Sequence, residues 1–171
     1  MLAFYCSIKI KSRLKNDIEN KIYLLDIDNT LADTFHSYKY FFESYENRLL
    51  SLAIFLGMRK KYIEILHHNK NAFFISARRM SSKAATYNWL ESNGLKIEKN
   101  NIFNVNSVNV KIIFFKLLNK NNNYKIILID DLSYNHENGE VKYYKNQIDA
   151  ICQFKILHID AKQIEEINNK S

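Results

Sequence analysis

Apolar residues gather in short runs closed off by polar or turn-forming residues: KIYLLD at 21–26, NAFFIS at 71–76, NNIFNV at 100–105, YKIILID at 124–130 and FKILHI at 154–159. Runs of this length, rich in Ile, Leu and Phe, fit strands buried on both faces. The intervening segments carry apolar residues at helical spacing, which predicts helices over about 35–68, 81–93, 110–119 and 145–153. Strand alternating with helix predicts an α/β fold. Its expected form is a Rossmann-like parallel five-stranded sheet with helices on both faces and a small helical insert after the first strand. One domain spanning 1–171 is expected, with 35–70 as that insert or a minimal cap.

Punctuation supports these boundaries. Ser81 or Ser82 is placed to cap the helix over 81–93, and Gly94 to supply the left-handed residue after it. In the insert, Phe35, Tyr38, Phe42, Tyr45, Leu49, Leu52 and Leu56 form one stripe, predicting a long helix that Gly57 separates from a shorter one. The segment 121–123 predicts a polar turn, and 136–140, with Asn138-Gly139, predicts a tight one.

Composition narrows the function classes. With 171 residues, 47% of them hydrophobic and 25% charged, the chain can bury a core, which argues against disorder and against two large domains. Lys+Arg 25 against Asp+Glu 18 gives a net charge of +7, which favours anionic partners. The absence of Pro and the abundance of Lys, Asn and Ile match a nucleotide-composition bias, which weakens charge as a functional signal. Cys6 and Cys152 stand apart and outside any CxxC spacing, so a disulfide framework and a zinc site are not expected, and the cytoplasm is the expected location. Arg48 interrupts the best candidate for a membrane span, and the apolar run at the start is too short for a signal segment. No membrane partner is expected, and oligomeric state is left open.

The chemistry gathers where the predicted strands end. Asp26 and Asp28 leave the first strand two residues apart, and Asp130-Asp131 end the fourth in the same way. Buried carboxylates cost several kcal/mol unless a cation or donors compensate them, and a hard, oxygen-seeking metal such as Mg²⁺ is a natural partner. The second strand ends in Ser76, followed by Arg78 and Arg79, a hydroxyl and two cations suited to an anionic group. Lys111, at the start of the helix before the fourth strand, adds a positive charge, with Lys116 as the competing lysine. Asp33 and Thr34 read as helix caps, Trp89 as a core anchor, and Tyr143-Tyr144 as either packing or a stacking surface. The five histidines are left without a role.

In order, DxDxT at Asp26, Asp28 and Thr30, a strand ending in Ser76, Lys111, and the acidic pair Asp130-Asp131 resemble the haloacid dehalogenase-like superfamily. The resemblance implies a phosphatase. Asp26 would be the nucleophile that forms an aspartyl-phosphate, and Asp28 the general acid and then base. Ser76 and Lys111 would hold the phosphoryl oxygens, while Asn29, Thr30 and Arg78 would line the substrate. Mg²⁺ would be held by Asp26, the carbonyl of Asp28 and Asp130, with Asp131 in support. The short insert implies an open, capless or minimally capped site. The stretches 75–78, 86–90, 111–116 and 129–131 are also similar to the 3′-phosphatase domain of polynucleotide kinase/phosphatase, although no GxxxxGK[ST] kinase motif occurs. A nucleic-acid 3′-phosphate end is therefore one expected substrate. The alternatives are a nucleotide or sugar phosphate, and a catalytically silent binding or scaffold role on the same fold.

Overall fold

In the computed structural model, which describes residues 1–14, 20–37, 44–120, 123–134 and 140–170, β1 (Lys21–Leu25) sends its side chains into two separate cores. Ile22 and Leu24 enter one core, and Leu25, followed by Ile27, enters the other, the period of two that a strand imposes. The alternation continues through β2 (Ala72–Ser76) and β4 (Lys125–Ile129). Phe73, Ile75, Ile126 and Leu128 join the first core, while Ala72, Phe74, Ile127 and Ile129 join the second. Each such side chain contributes about 1.5–3 kcal/mol by leaving water.

Helices cover both faces. The first core is closed by α1 (Leu2–Lys11), α6 (Val108–Asn119) and α7 (Lys145–Cys152), through residues such as Ile10, Phe114, Phe115 and Ile151. The second is closed by α3 (Tyr45–Leu50), α4 (Leu56–His68), α5 (Lys83–Ser92) and α8 (Ala161–Asn169), through Leu49, Tyr62, Trp89 and Ile164. With β3 (Ile102–Asn104) and β7 (Ile156–Ile159), the sheet runs β3-β2-β1-β4-β7, and every pairing is parallel. All five predicted strands are present, each trimmed at one end or both. From β1 the chain steps outward to β2 and β3, then returns on the other side of β1 to lay down β4. The strand order therefore reverses between β1 and β4, the place where open α/β sheets bind ligands.

The insert departs from expectation. The single helix predicted from Phe35 is broken: α2 (Thr34–Ser37) and α3 are followed by an irregular stretch before α4. The break falls at 51–55, because Ala32 and Ile54 form an antiparallel bridge, with Phe55 N–H on the Leu31 carbonyl at 2.9 Å and Asp33 N–H on the Ala53 carbonyl at 2.9 Å. Gly57, expected to end a helix, is the buried second residue of α4. Leu52 is buried off-helix and Leu56 is 69% exposed, so the stripe is not one face; Tyr38 and Phe42 lie outside the described residues. Trp89 Nε1–H ties this region to α5 by donating to the Leu52 carbonyl at 2.9 Å.

A 3-10 turn at Met80–Ser82 precedes α5, and Ser82 Oγ donates back to the Arg79 carbonyl rather than capping the helix. Gly94 has φ +78°, as its predicted role requires. Asp33 caps α2, its Oδ1 accepting from His36 N–H at 3.2 Å. Helices α1 and α8 were not expected, nor was the antiparallel pair β5 (Ser133–Tyr134) and β6 (Lys142–Tyr143). The tight turn predicted within that pair falls mostly on 135–139, and the turn at 121–123 partly on 121–122, both outside the described residues. No helix among the described residues is long and apolar enough to cross a membrane.

Candidate metal and catalytic centre

Register brings the acids together. Leu25 pairs with Ile129, so the next residue of each strand, Asp26 and Asp130, emerges side by side at the carboxyl end of the sheet. Asp26 N–H still donates to the Ile129 carbonyl at 2.9 Å, and Tyr62 Oη–H donates to the Asp26 carbonyl at 2.9 Å, which holds the strand end rigid. After Asp131 the chain turns sharply: Leu132 has φ +47° and donates its N–H to Asp130 Oδ1 at 3.0 Å. A non-glycine residue in this region costs about 1–3 kcal/mol and persists only where its surroundings demand it.

One oxygen each from Asp26, Asp130 and Asp131 lies within 4.8 Å of the others, and all three residues are buried. Lys111 reaches in from the first turn of α6, whose N-cap is Ser107, with Nζ at 2.5 Å from Asp26 Oδ1 and 2.6 Å from Asp130 Oδ2. Burial alone would lower this lysine, but Asp130 and Asp26 overcome it and keep it charged. Lys116, the competing lysine, is exposed. Three carboxyl groups thus face one ammonium, and the imbalance shows in the acidities of Asp26 and Asp131. Burial raises Asp26 well above the carboxylate range, with Asp130, Asp131 and Asp28 adding to burial and Lys111 opposing it. Burial and Asp130 push Asp131 up to about 7. A buried, all-oxygen donor set with uncompensated negative charge fits a hard divalent cation.

Thr30 is fully buried; its hydroxyl donates to Asp131 Oδ1 at 2.9 Å and accepts from the Asp131 N–H at 3.1 Å, which fixes the second acid to the β1 loop. Ser133 Oγ–H donates to the other oxygen of Asp131. Asn29, with φ +58°, accepts from Thr34 Oγ1–H at 3.0 Å and Phe35 N–H at 3.2 Å.

Asp28 faces the other way, towards β2. Ser76 Oγ–H donates to its Oδ2 at 3.2 Å, and Arg78 holds it with Nε at 2.8 Å from Oδ2 and Nη2 at 2.7 Å from Oδ1. Burial would raise Asp28, but the Arg78 guanidinium and its hydrogen bonds hold it below the usual carboxylate range. Arg78 itself is buried, 5.9 Å above the Trp89 ring. The predicted anion-receiving arginine therefore grips the second acid of the DxD pair.

A recess of about 280 Å³ opens beside the acids, bordered by Asn29, Phe55, Asp131, Val141 and Tyr143. Tyr143 also borders the outer surface formed by Tyr134, Lys142, Tyr144 and Lys145, where the Tyr134 and Tyr144 ring centroids lie 4.5 Å apart at a tilt of 36°. Sequence reasoning missed Tyr62, Ser133 and His158, whose Nε2 is 2.7 Å from the Asp130 carbonyl. None of the three carries a motif, and each is found only through the fold. Comparisons with family models, curated proteins and solved structures gave no match. The fold and the clustered acids resemble a haloacid dehalogenase-type centre.

Proposed function

We propose that the protein is a Mg²⁺-dependent phosphomonoester hydrolase of the haloacid dehalogenase type, a single catalytic unit with 35–70 as its minimal cap. The observation that carries this reading is the convergence of Asp26, Asp130 and Asp131 at the switch point, with Lys111 bridging two of them. Asp26, Asp130 and Asp131 would hold the metal together with the Asp28 carbonyl. A bound Mg²⁺ would screen the anionic nucleophile from the anionic phosphate. Asp26 attacks phosphorus as the ester oxygen departs, giving an aspartyl-phosphate. Lys111 and Ser76 hold phosphoryl oxygens, the charge-stabilising work that dominates phosphoryl transfer. Asp28 would take up a proton from solvent as the incoming phosphate draws Arg78 away, deliver it to the leaving oxygen, and then take one from the water that cleaves the aspartyl-phosphate. Arg78 and Ser76 orient its carboxyl, and Thr30 orients Asp131.

For the substrate, the reading favours a nucleic-acid 3′-phosphate end over a free metabolite. Between β1 and β2 the described residues supply only three helices, of 4, 6 and 13 residues, and the tyrosine hairpin that follows Asp131 offers rings and lysines beside the recess. The test is Mg²⁺-dependent phosphate release by wild type and Asp26→Asn on an aryl phosphate, 3′-phosphorylated oligonucleotides, and nucleotide and sugar phosphates. The expected result is loss of at least about 10³-fold in the variant, with the oligonucleotide preferred. Tyr143→Ala is expected to raise KM for the oligonucleotide by roughly tenfold, as one lost stacking contact would, and to leave the aryl phosphate unchanged. Preference for free monophosphates would overturn the substrate assignment, and silence of folded, metal-binding protein on every substrate would favour a binding role.

A further inference from the structure

On the outer side of edge strand β3, a cavity of about 210 Å³ lies between α1 and the start of α5. Its lining includes Tyr5, Lys9, Arg13, Lys83, Phe103 and Asn104. Two of its three cations, Lys9 and Lys83, have no carboxylate partner among the described residues; Arg13 meets Glu98 at 3.4 Å. Instead each ammonium stands over a ring, Lys9 at 5.5 Å from Tyr5 and Lys83 at 5.9 Å from Phe103. Burial, Lys99 and Arg13 together lower Lys83 from its ordinary range, with Cys6 opposing them.

Asn104 adds a second, independent sign. The residue is 5% exposed, and its Nδ2 donates to the Arg79 carbonyl at 3.0 Å and to Ser82 Oγ at 3.2 Å. The carbonyl can only accept, so the amide's orientation is fixed and Oδ1 is left buried without a donor. Such an acceptor costs about 1–3 kcal/mol and is satisfied when a donor arrives.

We propose that this cavity is a second ligand site, separate from the acidic centre, for a small anion carrying one flat ring with an N–H or O–H donor. The anionic group meets Lys9, Arg13 and Lys83, the ring lies among Tyr5 and Phe103, and the donor reaches Asn104 Oδ1.

The test titrates the full chain, metal-free, with 4-aminophenylphosphonate, which cannot be hydrolysed, and follows the Asn104 side-chain amide and the Thr30 backbone amide by NMR. Saturable shifts at Asn104 are expected, weaker with phenylphosphonate, which lacks the donor, and weakest with methylphosphonate, which lacks the ring. Lys83→Ala is expected to weaken binding at least tenfold while leaving the melting temperature and aryl phosphatase activity unchanged. Shifts confined to Thr30, equal binding of the three phosphonates, or indifference to Lys83→Ala would each overturn the proposal.

Discussion

Asp26 and Asp28 leave one strand two residues apart and enter opposite electrostatic surroundings. On the β4 side, Asp26 meets Asp130 and Asp131, with a single lysine bridging Asp26 and Asp130, so negative charge is in excess and Asp26 and Asp131 are held towards protonation. On the β2 side, Asp28 meets a guanidinium and a hydroxyl and is held ionised. The neighbouring strand, not the motif, decides the state of each acid. One half is built to want a further cation, and the other already has one.

Removing Lys111 strikes the deficient half hardest. Lys111→Met leaves Asp26 and Asp130 without the ammonium between them, and about 3–5 kcal/mol of stability is expected to be lost at neutral pH without metal. Chemical denaturation with and without Mg²⁺ measures this, and an unchanged midpoint would show that the acids are already protonated. The same half sets the response to pH. Asp131, raised to about 7, carries a stabilising contribution that is complete at low pH and lost as pH rises through 7. Between pH 5 and 8 the metal-free protein is expected to lose about 3 kcal/mol through this group, and Mg²⁺ to restore it. A metal-free midpoint that rises over this range would reverse the comparison. The balanced half answers most weakly: Arg78→Ala leaves Asp28, whose side chain is 32% exposed, able to turn to water. A loss of about 1–2 kcal/mol is expected, with the acidic limb of the pH–rate profile moved upward as Asp28 loses its cation.

Much of this contrast was legible before the fold. Strand ends announce themselves when an apolar run closes on acids, and parallel pairing then places Asp26 beside Asp130. Partner choice across strands was not legible, because nothing in ISARRM says which acid Arg78 will grip. The insert misled for a related reason: residues spaced by three and four on either side of a bridge at Ala32 and Ile54 imitate one helix. Helix α1 hid itself by carrying apolar residues on two faces, with Phe4 and Ile8 exposed opposite Cys6 and Ile10. Helix α8 did leave a signal, the capping box of Asp160 and Gln163, in a segment for which no element is predicted.

The chain has one tryptophan, and its position makes it an optical reporter. The Trp89 indole is hydrogen-bonded to the insert at Leu52 and lies beneath the guanidinium that grips Asp28. Its emission therefore reads two events through one fluorophore: departure of the insert would expose the ring to water and shift the spectrum to the red, whereas movement of Arg78 alone would change the intensity by altering a neighbouring charge. Stopped-flow mixing with substrate can separate the two without a label.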